Sequence, residues 1–198
     1  MAEVKGMQHT QASNNHVSKE YSIFQVAFNL TMVCIISGII IAVIYYFTVP
    51  IAERKNVELT QKSMQELVQD ADTFEPVDGK KDWYAAQKDG QTIAYVVPST
   101  TKGYGGSIEL LVAVSANGSV MDFQILSANE TPGLGSNASK DSFRDQFDGK
   151  SSDALKVVKD KTNTDNIQAL TGATITSAAV TKGVKEADDE VNQFMGGN

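Results

Sequence analysis

The stretch of sequence that decides the fold is IELLVAVSANGSVMDFQIL, residues 108–126. Two runs rich in Val, Ile and Leu, Ile108–Ser115 and Ser119–Leu126, flank the dipeptide Asn117-Gly118. Asn-Gly between two such runs is the strongest short-range signal for a hairpin, because both residues accept the positive φ that tight turns need. The stretch therefore predicts two antiparallel strands joined by a short loop.

A second hairpin is predicted immediately before this one. The segments Trp83–Gln87 and Thr92–Val97 have strand character, and they flank the turn Lys88-Asp89-Gly90-Gln91. An Asp-Gly pair at the centre of such a turn is a favoured arrangement. We therefore expect four strands in two consecutive hairpins.

Helices are predicted after the hairpins. Residues 141–147 and 152–159 are predicted as short helices. The C-terminal segment carries apolar residues at intervals of four and three, which is typical of one helical face: Val180, Val184, Ala187, Val191 and Phe194. Its predicted N-cap is Thr176 or Ser177. Hairpins with flanking helices predict an α+β domain with an antiparallel sheet.

The N-terminal part of the chain differs in character from the rest. Residues 1–20 are polar and are predicted to form a flexible arm. Tyr21–Ala52 contains no charged residue, and about 20 apolar residues are enough to cross a bilayer as a helix. A cleaved signal peptide would have a shorter apolar region, about 7–15 residues, followed by a small-residue cleavage site. The sequence therefore predicts a transmembrane helix over 21–52, a helical stalk or connector over 53–80, and a folded domain over 81–198.

The composition excludes several classes of function. With a formal net charge of -7 and no basic patch, the chain lacks the surface that nucleic-acid binding needs. The single cysteine, Cys34, excludes an intramolecular disulfide and a cysteine-ligated metal centre within this chain. His9 and His16 both lie in the N-terminal arm, so the domain has no histidine to act as a general base. We therefore predict no catalytic residue and no metal site, and any redox chemistry requires a non-metal cofactor.

Three short segments rich in glycine or threonine are candidates for ligand binding. The first is Gly103-Tyr104-Gly105-Gly106, where backbone and an aromatic ring can approach a flat ligand. The second is Glu130-Thr131-Pro132-Gly133-Leu134-Gly135, in which Pro-Gly favours a type II turn. The third is Thr171-Gly172-Ala173-Thr174-Ile175-Thr176-Ser177, in which small residues clear space beside the Thr174 hydroxyl.

Local chemistry alone leaves two interpretations of each segment open. A phosphate attached at Thr174 would lie near free backbone N–H groups at the positive end of a helix. The same residues are typical of an ordinary helix start rich in Thr and Ser, which spacing alone favours. The other two segments are compatible with a flexible loop and with a turn that binds nothing.

Taken together behind one predicted span, the three segments resemble a family of FMN-binding subunits. The family comprises the G subunit of the Rnf ion-translocating ferredoxin:NAD oxidoreductase and the C subunit of the sodium-translocating NADH:quinone reductase. The resemblance extends from Val26 to Phe194. The chain is short and has no large insertions, so it is more similar to the Rnf protein.

The resemblance implies that a dedicated flavin transferase attaches FMN, by its phosphate, to the hydroxyl of Thr174. It also implies that the three segments line the flavin site. The implied residues are Thr171, Gly172, Ala173, Thr176 and Ser177 near the attachment point, and Gly103, Tyr104, Gly105, Gly106, Glu130, Thr131, Gly133 and Leu134 in the two loops. Two positions depart from the family pattern: Gln168 stands where relatives often carry Asp, and Ala128 where many carry His.

The implied role is that of a one- and two-electron relay within an oxidoreductase complex, without catalysis by the chain alone. The expected partners are another flavin subunit, iron–sulfur subunits and further membrane and peripheral subunits. Basic residues flank both ends of the span, so charge does not decide its orientation. The resemblance implies a domain on the outer face of the cytoplasmic membrane.

Three alternative functions, from two classes, stay open at this point. The same FMN domain is compatible with a sodium-translocating NADH:quinone reductase or with a stand-alone extracytoplasmic flavin reductase. A non-catalytic anchored adaptor, whose loops bind no covalent group, is the alternative from a different class.

Overall fold

The computed structural model describes residues 22–160 and 162–196, and for 50–57 it describes the backbone only. The predicted arm 1–20 lies outside the described residues. The chain divides into two compact units, Met1–Ile51 and Ala52–Asn198. Helix α1, Ile23–Leu67, begins in the first unit and ends in the second.

The described part of the first unit, from residue 22 onwards, is almost entirely apolar helix. Its segment Ile23–Val49 has 27 residues and a mean hydropathy of 2.5, which makes it long and apolar enough to cross a membrane. The Thr31 hydroxyl donates to the carbonyl of Ala27 at 2.9 Å, so this polar side chain is satisfied within its own helix. The predicted membrane-spanning helix is therefore present as a helix of suitable length and composition.

The second unit is built on a five-stranded antiparallel sheet in which the strands follow their chain order. The strands are β1 Thr73–Pro76, β2 Tyr84–Lys88, β3 Gln91–Lys102, β4 Ser107–Ser115 and β5 Val120–Ala128. Both predicted hairpins are confirmed, as is the α+β fold class. In the β2–β3 turn, Asp89 and Gly90 both have positive φ, 51° and 75°. The β4–β5 loop is two residues longer, and its Gly118 has a φ of 85°.

A helix covers each face of the sheet. The C-terminal helix α3, Thr174–Gly196, covers one face with an apolar side that includes Val180, Val184 and Val191. The last turns of α1 and the residues after it cover the other face through Met64, Leu67, Val68 and Ala71. The sheet thus has apolar side chains on both faces, so both helices are integral to the folded unit.

Three boundaries differ from the sequence prediction. The predicted connector 53–80 belongs to the second unit, because it supplies core side chains and strand β1. Helix α2 spans only Asp141–Arg144. The predicted helix 152–159 is a 3₁₀ turn, Ser152–Ala154, followed by β6, Val157–Val158, which pairs in parallel with β7, Ile167–Gln168. The β-branched pair in β6 favours extended backbone, and its partner strand comes from a later segment of the chain.

Helix α3 packs directly against the sheet at Gly183. A Cβ atom there would lie 2.6 Å from Leu110 Cδ1, and the Gly183 carbonyl accepts a hydrogen bond from Ser99 Oγ at 2.9 Å. Glycine inside a helix costs about 1 kcal/mol relative to alanine. This contact explains why a glycine occupies the position, and it fixes the helix that carries Thr174 against β3 and β4.

Asp188 is a buried carboxyl group on α3. Its side chain is 0% exposed, and neither oxygen has a hydrogen-bond partner of normal geometry among the described residues. Burial raises the pKa of Asp188 to about 6, although the nearby Ser152 backbone N–H and Lys185 oppose this shift. The Lys185 ammonium is itself engaged with the Ser152 carbonyl and with Asp189.

We expect Asp188→Asn to stabilise the folded domain at neutral pH by about 1–2 kcal/mol, because it removes a charge that burial penalises. The carboxyl has an ordinary pKa of 3.8 and a folded-state pKa of about 6, so the wild-type domain loses stability as the pH rises through this interval. Urea unfolding in detergent at about pH 4 and about pH 8 measures the effect. The gain should be present at the higher pH and nearly absent at the lower one. Glu190→Gln, an exposed control, should shift the midpoint at neither pH.

Candidate functional site

The three glycine- and threonine-rich segments meet at one groove on the second unit. The groove has a volume of about 560 Å³, within the range of about 300–1,000 Å³ that is usual for small-molecule sites. Its lining residues are Tyr104, Glu130, Thr131, Leu134, Gly135, Gly172, Ala173, Thr174, Ile175 and Thr176. Segments that are far apart in the sequence thus form one surface.

Thr174 is the first residue of α3, and its side chain is exposed to the groove. Gly172 directs the chain into the helix with a φ of 77°, a value that few other residues tolerate. The first backbone N–H groups of a helix have no partner inside it. The first turn of α3 also contains no acidic residue. An anion at the Thr174 hydroxyl would therefore meet free N–H donors without a competing carboxylate on the same turn.

The predicted N-cap at Thr176 or Ser177 is wrong, because both side chains point into the domain instead of out to the helix end. Thr176 is 2% exposed, and its hydroxyl donates to Glu130 Oε2 at 2.5 Å. Ser177 is 0% exposed; its hydroxyl donates to the Ala173 carbonyl and accepts from the Leu170 N–H. The helix consequently begins earlier than predicted, at Thr174. Of these three hydroxyl groups, the Thr174 hydroxyl is the exposed one.

Apolar side chains surround the groove although they are open to solvent. Tyr104 is 69% exposed, Ile175 57% and Leu134 42%. Large apolar groups clustered at a concave surface are typical of binding sites, since isolated folded domains usually cover them. A flat aromatic ligand would find apolar contact on these three side chains.

The second predicted segment forms the turn that its sequence indicates. Leu134 N–H donates to the Thr131 carbonyl at 3.1 Å, and Gly133 between them has a φ of 75°. This is the geometry of a type II turn with Pro132 at its second position, and the prediction is confirmed. Asn137 Nδ2 donates to the Gly133 carbonyl at 2.7 Å, which ties the turn to the 3₁₀ segment Gly135–Ser139.

Not every predicted site residue lines the groove. Those that do are Tyr104, Glu130, Thr131, Leu134, Gly172, Ala173, Thr174 and Thr176. The predicted residues that lie outside its lining are Gly103, Gly105, Gly106, Gly133, Thr171 and Ser177. Two lining residues, Gly135 and Ile175, were not predicted as ligand contacts. Ile175 could have been predicted from the sequence. It is an apolar residue next to Thr174 in the first turn of a helix, where a side chain can face outward.

A second groove lies on the other side of Thr174. It has a volume of about 480 Å³ and shares Gly172 and Thr174 with the first groove. Its further lining residues are Gln146, Lys159, Gln168, Ala169, Leu170 and Thr171. The side chains that line it include one cation, Lys159, and no carboxylate. Gln146 and Lys159 come from distant segments, so local motifs could not indicate them.

Within residues 22–160 and 162–196, no group of three or more His, Cys, Asp or Glu side chains could hold a metal ion. The lining of the first groove contains one carboxylate, Glu130, whose two oxygens are engaged by protein donors. The arrangement is therefore chemically suited to holding a ligand beside a free hydroxyl, and it provides no obvious proton acceptor for that hydroxyl.

Comparison with known proteins identifies the class to which this groove belongs. Residues 103–189 match the family described as the FMN-binding domain. The chain is 66% identical over 176 residues to the G subunit of the proton-translocating ferredoxin:NAD(+) oxidoreductase complex of Clostridium ljungdahlii, covering 89% of this chain and 95% of that one. It is 34% identical over 183 residues to the Na(+)-translocating counterpart from Acetobacterium woodii, covering 82% and 88%.

The chain therefore belongs to the family of G subunits of ion-translocating ferredoxin:NAD(+) oxidoreductase complexes. These sequence matches confirm the family resemblance that the three motifs indicate, and they show that the family is that of the Rnf-type G subunits. Among solved structures, the chain is similar to the C subunit of the Na(+)-translocating NADH-quinone reductase from Parabacteroides distasonis. The sequence identity is 25% and the TM-score is 0.48, over 57% of this chain and 61% of that chain.

Proposed function

We propose that this chain carries one FMN, joined by a phosphodiester to Thr174 Oγ1, and serves as an electron-transfer subunit of an Rnf-type complex. The observation that carries the proposal is the position of this hydroxyl. It is exposed between two grooves at the start of α3, while the hydroxyls of Thr176 and Ser177 are buried and bonded.

The residues present fit an FMN group. The apolar groove offers Tyr104, Leu134 and Ile175 to a planar ring. The first N–H groups of α3 favour a negative phosphate. Lys159, across Thr174 from the apolar groove, adds a positive charge to the same neighbourhood. The apolar surface on one side of the Thr174 hydroxyl suits the planar ring of FMN, and the polar, cationic surface on the other side suits its phosphate.

Attachment requires a separate enzyme and an activated flavin donor. A bond forms between Thr174 Oγ1 and the flavin phosphorus, the hydroxyl loses its proton, and the leaving group of the donor departs. No histidine is available in the domain to accept that proton. A flavin transferase is therefore part of the proposal, as the family resemblance implies.

The proposed role of the chain in the complex is to relay electrons between other subunits. When bound, FMN supplies electron transfer in single or paired steps, which a link between iron–sulfur centres and other flavins requires. The chain itself would contribute the tether at Thr174 and apolar contacts to the ring from Tyr104, Leu134 and Ile175. Partners with iron–sulfur centres and a second flavin are proposed on the same basis.

The proposed location is the cytoplasmic membrane, with the FMN domain on its outer face. The apolar segment Ile23–Val49 supports membrane attachment. The side of the membrane follows from the family resemblance. A covalent tether suits this side, because a dissociated flavin would be lost where no cellular pool replaces it.

The experiment that tests the proposal is expression of the full chain with and without a flavin transferase. With the transferase, a denaturing gel should show yellow-green fluorescence at the position of the chain. The intact mass should rise by one FMN less one water, and fragmentation should place the addition within residues 171–177. A colourless chain of unmodified mass in the presence of an active transferase would rule out covalent attachment and favour the adaptor.

A further inference from the structure

We propose that Glu130 is a positioning residue that assembles the flavin groove before any flavin is attached. Its carboxylate holds the loop 103–106 and the first turn of α3 against the loop 130–135. The effect on the attached flavin rests on the proposed function; the assembly of the empty groove does not.

The hydrogen bonds of Glu130 join segments that are distant in the sequence. Oε1 accepts the N–H of Gly105 at 3.0 Å, and Oε2 accepts the hydroxyl of Thr176 at 2.5 Å. The two partners lie 25 and 46 residues away along the chain. One carboxylate therefore joins three segments, and each of its oxygens is used in a charge-assisted hydrogen bond, the stronger kind.

Three glycines of the two loops lie against this carboxylate or against the backbone just before it. A Cβ atom at Gly135 would lie 2.7 Å from Glu130 Oε2 and 2.7 Å from Thr176 Oγ1. A Cβ atom at Gly103 would collide with Glu130 Oε1, and one at Gly105 with the carbonyl of Asn129. Small residues at these positions thus make room for the protein's own carboxylate and for the backbone before it. This also explains why Gly103 and Gly105 do not line the groove.

The position of Glu130 determines the shape of the groove. Tyr104 lies between the glycines whose positions Glu130 fixes, and Thr176 lies on the same first turn as Thr174 and Ile175. The carboxylate therefore sets the distance between the aromatic side chain on one wall and the helix start on the other. Replacing it with alanine leaves the Gly105 N–H and the Thr176 hydroxyl without their acceptor.

Hydrogen–deuterium exchange of the full chain, purified in detergent without flavin, tests the proposal. In Glu130→Ala, peptides covering 103–107 and 172–178 should exchange about tenfold faster than in the wild type, since hydrogen bonds to a charged acceptor are lost. Peptides from strands β4 and β5, over 110–126, should not change. Glu130→Gln, which keeps one acceptor oxygen and the same length, should restore most of the protection.

Two further variants keep the test decisive. Thr176→Val removes one of the two hydrogen bonds, so its exchange should lie between that of the wild type and that of Glu130→Ala. Glu109→Ala removes an exposed carboxylate on β4 that touches neither loop, and it should leave exchange unchanged. Wild-type exchange in Glu130→Ala, or the same acceleration in Glu109→Ala, would overturn the proposal. If Glu130→Ala does not fold, exchange in Thr176→Val decides the matter: wild-type exchange in that variant would then overturn the proposal.

A second readout concerns the flavinylated protein. With a looser groove, the tethered flavin should rotate more freely in Glu130→Ala, and its fluorescence anisotropy should fall; Glu130→Gln should recover it. Unchanged anisotropy in Glu130→Ala would overturn the role in holding the flavin. If no flavin attaches to any variant, the proposed function fails, while the exchange experiment still tests the assembly of the groove.

Discussion

Thr174→Ala should abolish covalent flavin on this chain. Alanine lacks the oxygen that forms the bond to phosphorus, and the remaining hydroxyls of the first turn of α3 are buried and bonded to Glu130 and Ala173. We expect a loss of in-gel fluorescence to background and an unmodified intact mass. The protein should remain folded, because Thr174 is exposed and alanine is the best helix former.

Two matched variants make this result specific. Thr171→Ala removes the other exposed threonine of the same motif. Thr171 lines only the second groove, so this variant should retain most of the fluorescence. Thr174→Ser keeps a hydroxyl at the same position and should remain a substrate. Full fluorescence in Thr174→Ala, with its loss in Thr171→Ala, would move the attachment site to Thr171.

Phe147→Ala should be the most damaging core substitution, at about 3–5 kcal/mol, because it leaves a large cavity. Phe147 is 0% exposed and contacts both Phe123 and Phe143, with ring centroids 4.9 and 5.4 Å apart. These contacts connect β5, which carries Phe123, to α2, which carries Phe143. Phe147 itself follows α2 and is adjacent to Gln146, which lines the second groove. Urea unfolding in detergent, followed by circular dichroism, measures the loss.

Phe194→Ala is the matched control for this substitution. Phe194 is only partly buried, and it packs edge-to-face on Trp83 and Tyr95 near the end of α3. We expect a loss of about 1–2 kcal/mol, since less apolar area leaves the interior. Equal losses in the two variants would mean that the Phe123, Phe143 and Phe147 cluster has no special weight in the core.

Much of the fold could be predicted because its signals are local. Each hairpin is encoded by two apolar runs and the turn between them, and α3 by the spacing of one apolar face. Strand β1 could not be predicted, because Thr73–Pro76 is four residues long, mostly exposed, and defined by its pairing with β2. The parallel pair β6 and β7 is likewise a non-local contact between two very short segments.

The candidate site shows a similar division. The three segments were predicted to meet, and they do meet at the groove that Thr174 faces. The role of their glycines could not be predicted, because a missing side chain leaves room equally for a ligand and for another part of the protein. Gly103, Gly105 and Gly135 accommodate protein atoms. Lys159 could not be predicted either, since only folding brings it to the groove that Thr174 lines.

The burial of Thr176 and Ser177 bears on whether folding precedes flavin attachment. In an unfolded chain, these hydroxyls and those of Thr171 and Thr174 are equally accessible. Folding makes them different, because it buries the hydroxyls of Thr176 and Ser177 and leaves the other two exposed. Under the proposed attachment, a transferase that acts on the folded domain meets Thr171 and Thr174 but not Thr176 or Ser177. Maturation would then also depend on folding, since only the folded chain keeps the hydroxyls of Thr176 and Ser177 out of reach.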